Sequence, residues 1–94
     1  MSLGLLTLQI QIPGCRSLKE KRSRLKPLLA RLHREFNISS AEIGLHDDWD
    51  QSLIACALVS NDSDHTRRAL QTVIRWVESN WPDVSVIDDR IELY

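Results

Sequence analysis

Apolar residues recur along this chain with two different periods, and the order of those periods limits the possible folds. The N-terminal segment LLTLQIQI alternates with period two, which predicts a strand. Residues 17–36 then carry apolar side chains three, four and seven positions apart, which predicts a helix. Two strand-like segments, a second amphipathic helix over residues 66–77 and a last strand within residues 84–93 follow. The predicted order is β-α-β-β-α-β.

That order is typical of one architecture. Two interleaved right-handed βαβ units place four antiparallel strands in one sheet with both helices on one face, a ferredoxin-like α+β sandwich. The 94 residues are the length of one small domain, and no linker, repeat or low-complexity segment interrupts them. We therefore expect residues 1–94 to form a single ferredoxin-like domain with a modest core, which favours a surface site over a deep cavity.

Local signals predict where these elements begin and end. Ser17 and Glu20 form a capping box, in which the Ser17 hydroxyl accepts from the Glu20 amide and the Glu20 carboxylate reaches back to the Ser17 amide. Pro27 lies inside the first helix, where we expect a kink. The segment SNWPD ends the second helix, with Trp76 and Trp81 packed there. In the last strand, a change of phase near residues 88–89 predicts a bulge or an early end.

Positive charge is concentrated in one part of the chain. The formal net charge is −1, yet residues 16–34 hold eight Lys or Arg and one acid, Glu20, a local formal charge of +7. Residues 35–64 hold seven acids and no Lys or Arg. One face of the domain is therefore expected to attract anions while another repels them.

The first helix is accordingly the candidate nucleic-acid site, and RNA or a ribonucleoprotein is the predicted partner. Arg16 precedes the helix start, where free amides and the helix dipole also favour an anion. Lys21 falls near the apolar stripe, where its aliphatic stem can lie along the apolar surface while its ammonium reaches water. The alternative for the whole set is a solvated helix flank, with some of its cations paired to acids of residues 35–64. The predicted nucleic-acid-binding residues are Arg16, Lys19, Lys21, Arg22, Arg24, Lys26, Arg31 and Arg34.

The remaining reactive residues do not predict an enzyme. Cys15 and Cys56 are the two cysteines, and without a secretion signal we expect reduced thiols in the cytoplasm. Cys15 has no base nearby in sequence, so a plain loop thiol is preferred over a nucleophile. The acidic loop of residues 46–50 matches no specific metal spacing, and Asp62 fits helix capping better than catalysis. We predict no catalytic residues, no metal and no cofactor.

The sheet gives a second candidate surface. No aromatic side chain is available on its central strands, so the base stacking of RNA-recognition motifs is not expected there. The third strand is instead apolar on both faces, which favours a covered sheet. The alternative function is therefore a protein-interaction module that forms a homodimer through the sheet, without direct nucleic-acid contact. No apolar run reaches the roughly 18–20 residues that span a membrane, so no membrane partner is predicted.

Three segments resemble a known family. The stretches LTLQIQIPGCRSLKEKRSRLKPLLARL, FNISSAEI and ALVSND are similar to the YlxP-like family of small bacterial proteins, long described as a domain of unknown function. The resemblance runs over nearly the whole chain and implies a ferredoxin-like fold. It also implies a cytoplasmic bacterial protein near RNA metabolism, because genes of this family commonly lie among those for transcription and translation factors. It supplies no catalytic residues.

Overall fold

The alternating N-terminal segment becomes a central strand of the sheet in the computed structural model, which describes residues 1–94. The elements, in chain order, are β1 (Ser2–Gln11), α1 (Leu18–Phe36), β2 (Ser39–Gly44), β3 (Gln51–Ser60), α2 (Ser63–Asn80) and β4 (Ser85–Leu93). All neighbouring strands pair antiparallel, in the order β2-β3-β1-β4. The predicted ferredoxin-like α+β topology is therefore confirmed.

The core lies between the sheet and the two helices. Every second residue of β1 is buried because alternate side chains of a strand point to opposite faces, and Leu6, Leu8 and Ile10 are fully enclosed. The helices contribute the buried side chains of their apolar stripes: Leu25, Leu28 and Leu32 from α1, and Leu70, Val73 and Val77 from α2. Each fully buried side chain of this size contributes about 1.5–3 kcal/mol. Both helices are thereby held on one face of the sheet.

The start of α1 follows the capping prediction with one difference. The Ser17 hydroxyl accepts from the Glu20 amide at 3.0 Å, as predicted. The Glu20 carboxylate accepts from the amide of Arg16 at 2.6 Å, one residue earlier than the capping box specifies. The extended backbone of Ser17 (φ −159°, ψ 160°) sets the direction of this preceding peptide. The helix continues without a break through Pro27, which is exposed.

Both edge strands carry an irregularity. Asp88 of β4 pairs with Gln9 of β1, and Val86 pairs with the next residue, Ile10. Ile87 is therefore an extra residue in β4, and the predicted bulge is confirmed. In β2, the pairing with β3 shifts between Glu42 and Gly44. Neither helix is long and apolar enough to cross a membrane.

Candidate nucleic-acid interface on the first helix

Five of the seven Lys and Arg residues of α1 fall into two groups, because the helix presents two flanks beside its buried stripe. Lys19, Arg22 and Lys26 are exposed and follow one another at intervals of three and four residues, which places them on one side. We refer to these three residues as the basic row. Arg22 and Lys26 share a small groove of about 150 Å³ with Glu42, so the row faces edge strand β2. Arg24 and Arg31 lie on the opposite flank, toward α2.

The basic row is free of internal ion pairs. The four ion pairs of the structure engage Lys21, Arg24 and Arg31 from residues 16–34, together with Arg90 of β4. No carboxylate oxygen therefore lies within 4.0 Å of the charged groups of the row, of Arg16 or of Arg34. Seven residues of helix separate Lys19 from Lys26, about 10 Å along the axis. These cations form a short line of uncompensated charge.

Lys21 does not belong to that line. Only 1% of it is exposed, and its Nζ atom lies 2.8 Å from Glu42 Oε2 and donates to the carbonyl of Leu45 at 2.7 Å. The Ser52 hydroxyl donates to the same Glu42 oxygen at 2.7 Å. Lys21 therefore joins α1 to the β2–β3 hairpin instead of reaching solvent. We remove it from the predicted nucleic-acid-binding set, because a phosphate at the protein surface has no access to it.

Arg24 is also bound within the protein, through four hydrogen bonds. Its Nε and Nη2 atoms donate to the two carboxylate oxygens of Asp83 at 3.0 and 2.9 Å, and Nη2 also donates to the Asp83 carbonyl at 2.9 Å. Its Nη1 atom donates to the carbonyl of Pro13 at 2.8 Å. The hydrogen bond to Asp83 raises the pKa of Arg24. Because this charge is balanced locally by Asp83, we also remove Arg24 from the predicted nucleic-acid-binding set.

Arg31 keeps an accessible charge. Its guanidinium lies 5.6 Å from the ring centroid of Trp76, a cation–π contact. Its Nε atom is 3.8 Å from Glu35 Oε2, and both side chains are nearly half exposed. Ion pairs of this kind contribute little in water, so Glu35 does not prevent Arg31 from meeting another anion.

Two tryptophans pack together at the end of α2. Trp76 packs edge-on against Phe36 with ring centroids 5.6 Å apart, and Trp81 lies 6.1 Å from Trp76 at the end of α2. Packing of Trp76 and Trp81 there is confirmed. Trp49, in the loop between β2 and β3, is 55% exposed.

The acidic hairpin loop forms an open groove. Cys15 and residues 47–50 line it, with a volume of about 360 Å³. No group of three or more His, Cys, Asp or Glu side chains is arranged to hold a metal ion. Asp62 is the N-cap of α2, where its Oδ1 atom accepts from the Asp64 amide at 3.0 Å, which agrees with the capping prediction.

The two thiols differ in their surroundings. Cys15 is 7% exposed, and its Sγ atom donates to the carbonyl of Ser17 at 3.5 Å. Cys56 is fully buried in the core, and this burial raises its pKa to about 12. The Cys56 thiol is therefore protonated at neutral pH and cannot act as a thiolate nucleophile there.

One contact that the sequence reasoning missed did have a signal in the sequence. Lys21, Leu25, Leu28 and Leu32 follow at intervals of four, three and four, so Lys21 occupies a core position of the stripe. Glu42 likewise lies on the helix-facing side of β2. Two opposite charges on facing buried surfaces indicate a pair, whereas nothing local predicts that Arg24 binds Asp83, 59 residues away.

The fold and the site together define a small ferredoxin-like α+β protein with a row of unpaired cations on its first helix. The chain belongs to the family described as "Protein of unknown function (DUF503)", whose family model matches residues 3–91. It is also 37% identical over 78 residues to "Uncharacterized protein YlxP" of Bacillus subtilis (strain 168), an alignment that covers 83% of this chain and 84% of the relative. The resemblance to the YlxP-like family is confirmed. Neither description names an activity or a partner, so function must be inferred from the site.

Proposed function

We propose that this protein is a non-catalytic module that binds RNA, free or within a ribonucleoprotein, through the basic row of α1. The observation that carries the proposal is the absence of any carboxylate within 4.0 Å of Lys19, Arg22 and Lys26. Two other cations of the same helix, Lys21 and Arg24, are paired with carboxylates within the protein. A row left uncompensated beside such pairs is suited to phosphates, which release counterions when cations replace them.

We propose a non-catalytic role because neither cysteine thiol has a neighbouring group that could act as a base. Cys15 donates to a backbone carbonyl, and Cys56 is buried and protonated. A nucleophile needs a neighbouring group that takes its proton or lowers its pKa. Phosphate contacts need only exposed cations, which the row provides.

The proposal predicts the salt dependence of binding. Each phosphate contact with single-stranded RNA contributes about −0.7 to the slope of log K against log salt concentration. The three cations of the row, with Arg16 beside them, predict a slope of about −2 to −3. Fluorescence anisotropy of labelled ribosomal RNA fragments, measured at several NaCl concentrations, gives this slope directly.

A matched pair of triple variants tests the location of the site. The first replaces Lys19, Arg22 and Lys26 by Gln. The second replaces Arg67, Arg68 and Arg75 of α2 by Gln; these are also exposed, have no carboxylate within 4.0 Å and change the net charge by the same amount.

The first variant should bind RNA more weakly and reduce the slope by about 2, at about 0.7 for each lost contact. The second should retain most of the affinity. Equal losses in both variants would show that net charge alone drives binding. Unchanged binding in the first would refute the assignment to the basic row.

The open sheet face supports a second candidate function, a homodimer through the sheet. The side chains of β1 and β3 that point away from the helices are mostly apolar, and Val59 is 64% exposed. Strand spacing and rise give a four-stranded face of roughly 30 by 20 Å, or about 600 Å² in projection. Stable interfaces bury about 800 Å² per partner, so the face approaches the size that a dimer requires.

Light scattering over a concentration series tests this candidate. A dimer that Val59→Asp converts to monomer would support the sheet interface, because a carboxylate there would be buried without a partner. A monomer at every concentration would eliminate this function. A dimer that Val59→Asp leaves intact would place the interface elsewhere.

A further inference from the structure

A groove beside the C-terminal half of α1 combines positive charge with an aromatic ring. It has a volume of about 440 Å³ and is lined by Pro27, Ala30, Arg31, His33, Arg34 and Trp81. The other surface grooves lack this combination. The groove around Trp49 is lined by three aspartates, the groove of the basic row has no ring, and the groove on the sheet has neither charge nor ring. We refer to the first as the Trp81 groove.

Contacts of the residues before and after Trp81 in the chain hold its backbone in place. It is the C-cap of α2, where Pro82 disfavours further helix and the Trp81 amide donates to the carbonyl of Val77 at 3.0 Å. Two residues later, Asp83 is bound by Arg24 through both carboxylate oxygens. These anchors hold the backbone of Trp81, and its ring packs 6.1 Å from that of Trp76, which lowers the entropy lost when a ligand packs against it.

The charged groups of the groove suit a phosphate. Arg34 is exposed and has no carboxylate within 4.0 Å. Arg31 is nearly half exposed, and its pair with Glu35 is long, at 3.8 Å. His33 Nδ1 donates to the carbonyl of Ile38 at 2.8 Å, because a carbonyl can only accept, and its other ring nitrogen is not used in this bond.

We propose that the Trp81 groove takes one nucleotide of single-stranded RNA, with the base stacked on the Trp81 ring and the adjoining phosphate bound by Arg34 and Arg31. The inference rests on the proposed RNA-binding function and names its class of substrate. Proteins that recognise single-stranded RNA stack unpaired bases on aromatic rings and pair the backbone with Arg or Lys. The basic row lies on the preceding turns of the same helix but on its β2 flank, so a strand that contacts both the row and the groove crosses the exposed side of α1. Duplex RNA would not fill the groove, because its bases are already stacked.

Two labelled probes of about ten nucleotides separate base stacking from phosphate binding. One is oligoadenylate RNA, and the other is an abasic strand with the same number of phosphates. Trp81→Ala should weaken oligoadenylate binding roughly 5- to 150-fold, the range found when a stacking aromatic is removed, and leave abasic binding unchanged. Trp49→Ala is the matched control, since Trp49 is exposed within the acidic groove and should change neither affinity. Arg34→Gln should weaken both probes together.

The outcomes distinguish this inference from the proposed function. Failure of the wild-type protein to bind these probes and the ribosomal RNA fragments would refute RNA binding itself. Binding of both probes with no base-specific loss in Trp81→Ala would refute only the stacking site. Photo-cross-linking of wild-type protein to iodouridine-substituted RNA avoids any effect of substitution on folding. A cross-link mapped to Trp81 supports the groove, and a cross-link to Trp49 instead overturns it.

Discussion

Separating Lys21 from Glu42 should cost more stability than any other single ion-pair disruption in this protein. The Lys21 side chain is 2% exposed and that of Glu42 is 18% exposed, while the Nζ–Oε2 distance is 2.8 Å. Removing one partner of a buried pair costs about 3–5 kcal/mol, since the other charge stays buried without compensation. The total stability of a domain is typically about 5–15 kcal/mol, so the loss is a large fraction of it.

The two single substitutions should lower the free energy of unfolding by different amounts. Glu42→Leu leaves the more deeply buried Lys21 ammonium with the Leu45 carbonyl as its one remaining partner. This substitution should cost about 3–5 kcal/mol. Lys21→Met leaves a carboxylate that is nearer to water and retains the Ser52 hydroxyl, and should cost about 2–3 kcal/mol. The double variant should lie about 1–3 kcal/mol below the wild type, less than the two single losses added, because apolar replacement of a buried pair is often neutral and the remaining cost comes from the lost partners of Ser52 and Leu45.

Urea unfolding followed by circular dichroism measures these differences. With a slope of about 1–3 kcal/mol per molar for a small protein, a loss of 3 kcal/mol moves the midpoint by roughly 1–3 M. Lys19→Met, an exposed change on the same helix, is the control and should stay within about 0.5 kcal/mol. Two outcomes would contradict this prediction. One is a double variant whose loss equals the sum of the two single losses. The other is a Glu42→Leu loss below about 1 kcal/mol, which is the size expected for an exposed ion pair.

Three further outcomes are expected. Arg24→Ala should lower the free energy of unfolding by about 1–2 kcal/mol in urea, since the bidentate contact with half-exposed Asp83 is lost; an unchanged midpoint would contradict this. Gly4→Ala should cost about 1–3 kcal/mol by the same assay, because its Cβ would lie 2.8 Å from Leu70 Cδ1, and no loss would mean that α2 adjusts freely. The buried Cys56 thiol has its pKa raised from 9.0 to about 12, so the unfolded state loses this proton first as pH rises. Between about pH 9 and pH 12 the wild type should therefore lose up to about 1.4 kcal/mol per pH unit more than Cys56→Ala, and parallel stability curves would disprove it.

Much of the fold was predictable from local patterns. The alternation in β1 and the stripes of α1 and α2 predicted the element order, because each amphipathic element must bury its apolar side against another. The bulge of β4 was visible as a change of phase, and the caps at Ser17 and Asp62 follow from side chains within three residues of their partners. These features depend on neighbours in the chain.

The candidate site was predictable only as a region. The excess of positive charge over residues 16–34 identified α1 as the basic element, but it did not distinguish the cations from one another. Lys21 and Arg24 stand beside Lys19 and Arg22 in the sequence and face different surroundings in the fold. The groove of Trp81 was not predicted at all, because it forms between the C-terminal half of α1 and the end of α2.

By itself, the sequence determined the class of fold and the helix that carries the charge, since hydrophobic periodicity and residue composition are properties of contiguous segments. Tertiary structure alone decided which cations are free to bind an anion. That choice depends on carboxylates that are distant in the chain, Glu42 across from Lys21 and Asp83 across from Arg24, and a Coulomb interaction is set by distance in space.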